Sequence, residues 1–433
     1  MIALNHPLWR DELSLVELDC GLQVHLYRKP NLQRRHALLA VDYGAVDDWL
    51  ADGRGAARRA PRGVAHFIEH CLFEKADGDI TGRFNALGAE VDAHTTFTST
   101  GFSFTATDGF EEGLSLLLEL VLTPHFSQAV LERERDVILR ELDLYADHVE
   151  WVAFGAALEA LYPHAAIGAD IAGTADSLMQ TDLAVLEAAY RTFYHPRRMG
   201  LFVTGDVDLE RVVERVSRSL DGRAWSALTP GPRPFTAATS GRSRRRLATA
   251  LPRLLVGLAA PRASEVGGDL LRRELCLDLA LDILFGPASS FYARHYEAGL
   301  VDDETFGYEI YCEPAFAFCL VGGDTPDPAR LEAEVTERIA AARDGDLIER
   351  HLERSRRRAW GQLVCQYDDV AACAAMTHSA VSRGCPPFGY FAAHEGLEAG
   401  EVAACVEGWL VAAHRGVAEV LSTETGDGEA PTQ

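Results

Sequence analysis

The strongest constraint on this fold is an order of elements that occurs twice, on either side of a stretch unable to hold a core. Residues 221–246, DGRAWSALTPGPRPFTAATSGRSRRR, are dense in Gly, Pro, Ser and Thr and then in Arg, with no apolar period, which is linker composition. After it, LATALPRLLVGLAAP reads as a strand, LLRRELCLDLALDILFG as a helix, FGYEIY and AFAFCLVGG as two strands, and PARLEAEVTERIAAA as a helix. The first half has the same strand, helix, strand pair, helix order, which suggests a duplicated domain. The expected division is a domain over 1–222, a linker over 223–247 and a related domain over 248–433. Strands, then helices, then more strands make each domain an α+β layer.

Within the first half, GLQVHLYRKP (21–30) and RRHALLAVDYGAVDDW (34–49) alternate as strands do. RGVAHFIEHCLF has apolar residues at helical spacing, and DITGRFNALGA offers a second helix ending at a glycine. EVDAHTTFTSTGFSFTATDG is rich in Thr, Phe and Val with period two, so it predicts a β-hairpin ending at Asp108-Gly109. From Phe110 to about Leu161 the pattern is helical, broken near LTPHF. DLAVLEAAYRTFYHP predicts a helix, MGLFVTGDV a buried strand, and DLERVVERVSRSL the helix after it.

With 433 residues, 48% hydrophobic and 24% charged, the chain can bury two or three cores and is not a disordered protein. Forty-one Lys and Arg against 65 Asp and Glu give a formal net charge of −24, which disfavours phosphate backbones and anionic membranes. Neither nucleic acid nor membrane is an expected partner. Nine cysteines, odd in number, scattered and without a CxxC pair, read as buried free thiols in a reducing compartment. The first twenty residues lack a basic region followed by an apolar one, and no run of about eighteen apolar residues occurs. A soluble cytoplasmic protein is therefore expected.

The chemistry is concentrated in HFIEH, residues 66–70. On a helix, residues four apart share a face, so His66 and His70 can offer imidazole nitrogens to one metal ion. Two imidazoles and a carboxylate form the ligand set of hydrolytic Zn²⁺ sites, which leave a fourth position for water. Glu69 lies beside the pair as a base able to take a proton from water attacking a carbonyl carbon. His-x-x-Glu-His is the inverse of His-Glu-x-x-His and is itself a metallopeptidase motif. The bland alternative is a chance pentad with both imidazoles satisfied in the core or at the surface. A third ligand decides between them. About seventy residues downstream, LERERDVILRELDLYADH places Glu134 and Glu141 seven apart, on nearly one helical face and about 10 Å apart along the axis. One of them can reach the metal while the other sits behind it. Taken alone, the same segment is an ordinary charged helix whose Arg133, Arg135 and Arg140 pair with the glutamates.

HFIEH, followed by LGAEVDAHT and ERERDVILREL, resembles the pitrilysin or inverzincin family of zinc peptidases, in the branch of half-size subunits that includes mitochondrial processing peptidase. The match covers the first half and, more weakly, the second. FEKADGD (73–79), IAGT (171–174), FYHPRRMGLFVTGDVD (193–208) and SSFYARHYEAGLVDD (289–303) look most like bacterial YfmH-type subunits. The resemblance implies a clam-shell half. Its two related α+β domains, of roughly 210 to 220 residues each, are mostly antiparallel sheets with helices on one face, and they close with a second subunit around a peptide-sized chamber. It implies that His66 and His70 are zinc ligands, Glu141 the third ligand, Glu69 the catalytic base, and Glu134 the glutamate that holds the site from behind.

Two departures stand out. Where the family has Asn-Ala-x-Thr on the strand that receives an extended substrate, this chain has Asp92, Ala93, His94 and Thr95. These four are the expected substrate contacts, with the role of Asp92 open. Catalytic members also carry an arginine and a tyrosine, seven positions apart around a Gly-Leu pair, that reach the substrate carbonyl. Here Gly299-Leu300 is flanked by His295 and Asp302, so the resemblance implies a related second subunit that lacks HxxEH and supplies Arg and Tyr. Arg294, His295 or Tyr296 acting locally would instead leave a homodimer. The expected function is a zinc endopeptidase or processing peptidase acting on peptides or leader segments. The competing readings are a non-hydrolytic peptide-binding or assembly subunit, and a structural zinc protein. The latter would want four ligands, usually thiolates, and Cys71 points about 100° away from His70 on a helix.

Overall fold

The computed structural model describes residues 2–423 apart from 6–7, 9–11, 52–56, 226–229, 231–232, 234 and 262–264. Part of the expected linker therefore lies outside the described residues. The chain forms two compact units, one of residues 1–142, 170–233 and 363–391, the other of 143–169, 234–362 and 392–433.

The first unit is built on seven strands: β1 (Ile2–Asn5), β2 (Glu12–Glu17), β3 (Gln23–Arg28), β4 (Arg35–Val41), β5 (Glu90–Thr95), β6 (Thr100–Ala106) and β7 (Met199–Gly205). Their order is β1-β2-β3-β7-β4-β6-β5. Every neighbour is antiparallel except β7 beside β3. The predicted hairpin is β5–β6, and β5 is an edge strand whose outer side has no partner in the sheet.

In chain order the main helices are α1 (Val64–Phe73), α2 (Thr81–Ala86), α3 (Phe110–Leu122), α4 (Gln128–Ala146), α5 (Val149–Leu161), α6 (Leu183–Phe193) and α7 (Leu209–Leu220). In α1 the buried apolar positions 64, 65, 67, 68, 71 and 72 follow helical spacing, Glu69 is buried with them, and His66 and His70 are left on the other face. Phe67, Ile68 and Leu72 meet Val24, Leu26, Leu39, Phe102 and Phe104 of the sheet and Leu117 and Val121 of α3 in one core. Phe67 is fully buried, so Phe67→Ala would cost about 3–5 kcal/mol through lost burial and the cavity left behind. Cys71 lies in this core, where burial pushes its thiol far up and turns it away from the metal-facing side.

The second half adds β8 (Gly241–Leu247), β9 (Arg253–Ala259), β10 (Gly307–Glu313), β11 (Phe316–Asp324) and β12 (His414–Ser422), in the order β8-β12-β9-β11-β10. Its helices include α8 (Gly268–Phe285), α9 (Ser290–Glu297), α10 (Pro328–Ala341), α11 (Asp346–Gln366) and α12 (Val370–Ser382). The stretch of α8 and α9 is long and apolar, and two thirds of its most apolar eighteen residues are buried, as suits a core helix.

Three sequence expectations are revised here. Residues 241–247 belong to the sheet rather than to a linker. Arg242 pairs with Glu332 and Glu419, Arg244 with Glu419, and Arg245 with Glu159. A charged edge strand carries no apolar alternation to read. Secondly, a single cut within 223–247 does not separate the units, because α5 from the first half and α12 from the second each pack on the other half's sheet. Leu161 of α5 presses on Gly257 and Gly416, where a Cβ would lie 2.9 and 2.6 Å from its carbons. Thirdly, the first sheet is not covered on one face only, since Ala374 of α12 packs with Leu38, Ala40 and Phe202 on the face opposite α1.

Candidate metal centre

The start of α1 is fixed by backbone pressed on backbone. Gly63 has φ of 84°, and a Cβ there would come within 2.3 Å of the Ala172 carbonyl oxygen. Reciprocally, a Cβ on Gly173 would lie 2.7 Å from the Arg62 carbonyl oxygen. The IAGT segment thus braces the helix that carries HFIEH, and no larger residue fits either position.

Along α1 the His66 and His70 rings stand edge to face with centroids 4.7 Å apart. From α4, Glu141 Oε2 reaches to 3.8 Å from His66 Nε2 and 3.5 Å from His70 Nε2. The ligand atoms of these three residues lie within 4.8 Å of one another, the only such group among the described residues. Glu134, two turns earlier on α4, places Oε2 3.4 Å from His70 Nδ1, where it orients the imidazole from behind. Glu141 is thus the glutamate that faces both histidines, and Glu134 the one beside Nδ1 of His70. Arg133 does pair with Glu134, at 3.2 Å, and it also reaches Glu74 just past α1, at 2.5 Å. The charged-helix reading and the metal-site reading therefore hold together. Arg135 instead donates to the carbonyls of Leu178 and Thr181. The link from Arg133 to Glu74 was missed in the sequence because it joins residues 59 positions apart.

Electrostatically the site seeks a cation. Burial raises Glu69 to about 7, although the Thr95 hydroxyl opposes the shift. Burial lowers His66 to about 4, helped by His70 and opposed by Glu141. Burial would lower His70 as well, but Glu134, Glu141 and Glu69 outweigh it and hold it up at about 9. Three carboxylates around two imidazoles thus favour one positive charge at their centre. The donor types, two nitrogens and one carboxylate oxygen, fit Zn²⁺.

The pleat of β5 sorts the four expected substrate residues onto two faces. Thr95 lies on the α1 side and its hydroxyl donates to Glu69 Oε2 at 2.5 Å. Ala93 shares that side, packed against the core. Asp92 and His94 alternate with them, more exposed, opposite Ser103 and Gly101 of β6. His94 lies on the sheet face away from Glu69, its ring against Gly101, where a Cβ would come within 2.6 Å of it.

In the second unit, His295 is 1% exposed. Its Nε2 is 3.3 Å from Glu334, which also takes Arg294 at 2.5 Å. Asp302 accepts from the Glu304 and Thr305 amides and from the Thr305 hydroxyl, closing a turn. Asp302 is committed to its turn, while buried His295 has Glu334 at Nε2 and no partner for Nδ1 among the described residues. Tyr296 is 48% exposed and stacks on Tyr292. All nine cysteines are free.

With this geometry in hand, comparison with known proteins is informative. Residues 49–175 match the family model for insulinase, peptidase family M16, and residues 181–359 match that of the peptidase M16 inactive domain. The chain is 33% identical over 350 residues to the uncharacterized zinc protease YmfH of Bacillus subtilis, covering 80% of each. It is 27% identical over 174 residues, or 39% of this chain and 37% of the other, to a mitochondrial-processing peptidase subunit beta of Blastocladiella emersonii. Among solved structures, an M16-like peptidase from Alicyclobacillus acidocaldarius superposes with a TM-score of 0.90 at 28% identity, over 98% of this chain and 100% of that one. A protease from Helicobacter pylori, 14% identical, shares the fold over 95% of this chain and 99% of that one with a TM-score of 0.80.

Proposed function

The chain belongs to the M16 family of peptidases, and from that premise we propose that it is the zinc-bearing subunit of an endopeptidase or processing peptidase that hydrolyses peptides or leader segments. The observation that carries this reading is the convergence of His66, His70 and Glu141 from two helices, with Glu69 buried beside them. Zinc held by those three residues would supply Lewis acidity, polarising a carbonyl and making water more acidic. Glu69 accepts the proton of the attacking water and delivers it to the leaving amine. Burial raises its pKa above the usual carboxylate range, which suits a group that must both take and give a proton near neutral pH. Glu134 accepts the Nδ1 proton of His70 and so keeps Nε2 as the free donor atom.

An oxyanion needs donors, and His295 and Asp302 are spent on Glu334 and a turn. This favours a second, related subunit without HxxEH that supplies an arginine and a tyrosine to a shared chamber. The active species is then a heterodimer in the cytoplasm. The same loss favours, as second reading, a non-hydrolytic peptide-binding or assembly subunit, although that role gives Glu69 no task. The test is peptide cleavage by the zinc-loaded chain, alone and with a related subunit, for wild type and Glu69→Gln. Cleavage that requires the partner and is lost in Glu69→Gln, with zinc retained, is the expected result. Strong turnover by the lone chain overturns the heterodimer, and cleavage undiminished in Glu69→Gln removes Glu69 from the mechanism.

A further inference from the structure

We infer that Thr95 is the positioning residue of Glu69: its hydroxyl holds the carboxylate of the base and does not serve the peptide. The inference rests on the peptidase reading above. Four observations carry it. Thr95 is the one hydrogen-bond donor that Glu69 has among the described residues, through Oε2 at 2.5 Å. Glu69 is 8% exposed, so little water competes for that contact. On the α1 side of β5 the residues are Val91, Ala93 and Thr95, and Thr95 alone bears a hydroxyl.

The fourth is that Thr95 sits at the start of a turn fixed from several sides. The Thr96 amide donates to Ser99 O at 2.7 Å, and the Ala45 and Val46 amides donate to Thr96 O and Phe97 O, each at 3.0 Å. Arg233, bound through two nitrogens to Asp47, also donates to Thr98 O at 2.7 Å. A Cβ on Gly44 would come within 2.5 Å of the Phe97 and Thr98 backbone, so this loop lies directly on the turn. A hydroxyl on so fixed a segment can set the carboxylate's orientation, whereas one on a mobile loop would follow it. With Oε2 held, Oε1 is the oxygen left to take a proton. Because β5 is the sheet edge, the strand open to an extended peptide is also the one that aims the base.

The test has two arms. In the zinc-free chain, a double-mutant cycle of Thr95→Val and Glu69→Met is followed by urea unfolding. Thr95→Val should lower the midpoint when Glu69 is present, by stranding a buried carboxylate, and should have little effect in the Glu69→Met background. In the zinc-loaded protein, paired with the related subunit if cleavage requires it, Thr95→Val should lower kcat about 10- to 100-fold. KM and zinc stoichiometry should hold, and Thr95→Ser should recover most of the rate. An additive cycle, an unchanged kcat, or a loss appearing in KM alone overturns the inference, the last by making Thr95 a substrate contact. If the wild type cleaves no peptide in any pairing, the peptidase reading fails, and the cycle by itself decides the contact.

Discussion

The two sheets share a strand order, β3-β7-β4-β6-β5 in one half and β8-β12-β9-β11-β10 in the other, and at one equivalent place the halves do opposite things. In the first unit, α1 carries His66 and His70, four apart, facing Glu134 and Glu141 of α4. In the second unit, α8 carries Asp278 and Asp282, also four apart, facing Arg354 and Arg358 of α11. Arg358 Nε lies 2.9 Å from Asp282, the Ser355 hydroxyl donates to Asp282 at 2.5 Å, and the Tyr308 hydroxyl donates to Asp278 at 3.1 Å. Acids meet guanidinium groups there and the charges cancel. In the first unit acids meet imidazoles, which bear at most part of the balancing charge, and a cation is still wanted. The same helix pair is a structural clamp in one half and a candidate metal centre in the other, the difference lying in the pairing across the two helices.

Arg358→Met takes away the guanidinium that Asp278 and Asp282 share and leaves Asp282, 1% exposed, with Arg354 at 3.6 Å as its remaining cation among the described residues. It should destabilise the protein by about 3–5 kcal/mol in urea unfolding while zinc stoichiometry is unchanged. Next in size, Glu141→Gln replaces an anionic ligand with an amide. It should weaken zinc more than about 100-fold, beyond the loss expected for an outer partner, in competition with a chromophoric chelator. Full retention of zinc would mean that the third ligand is another residue. Glu134→Gln should cost less, about 10- to 100-fold in zinc affinity, because it frees the His70 ring without removing a ligand.

The smallest effect sharpens a different contrast, within the first sheet. Its α12 face holds His25 and His36, which are 3% and 6% exposed and are lowered to about 4, mainly by burial. His36 Nδ1 pairs with the Thr105 hydroxyl at 2.9 Å. His25 stacks on Phe202, and both its ring nitrogens are buried without a hydrogen-bond partner among the described residues. Between about pH 4 and 6.5 the unfolded chain carries protons on these imidazoles that the folded chain does not. Their contribution to stability therefore rises with pH across that window and is lost as acid is added. His25→Phe should raise stability by about 1 kcal/mol at neutral pH, since it removes unpaired polar atoms, and should flatten the fall between pH 6 and 4. Equal acid sensitivity in the variant and the wild type would place the titration elsewhere.

Much of the site was legible because it depends on local periodicity. The spacing of 66, 69 and 70 puts two imidazoles on one face of α1 whatever surrounds it, and the interval from 134 to 141 does the same for α4. The i, i+4 pair Asp278 and Asp282 gave the same signal in the second half but was passed over, since two aspartates on an apolar helix declare no chemistry until their partners are known. The alternation in residues 90–106 predicted the hairpin, but period two alone cannot say which face looks at α1. The sequence groups Thr95 with Asp92 and His94, and the contact of its hydroxyl with Glu69 sets it on the other face of the strand.

By itself, then, the sequence determined most of the elements, their doubled order and the shared face of His66 and His70, all properties of neighbours within about two turns or one hairpin. Tertiary structure alone decided that Glu141 and not Glu134 faces both histidines, that Arg133 reaches Glu74, and that α5 and α12 each complete the other half's sheet. It also made the arginine-rich 241–247 a strand, through parallel pairing with residues 416–422 and through three distant glutamates. The physical reason is common to all of these. Local spacing fixes which residues share a face, but which faces meet is settled by burial and charge pairing summed over segments far apart in the chain, and no short window of sequence contains that sum.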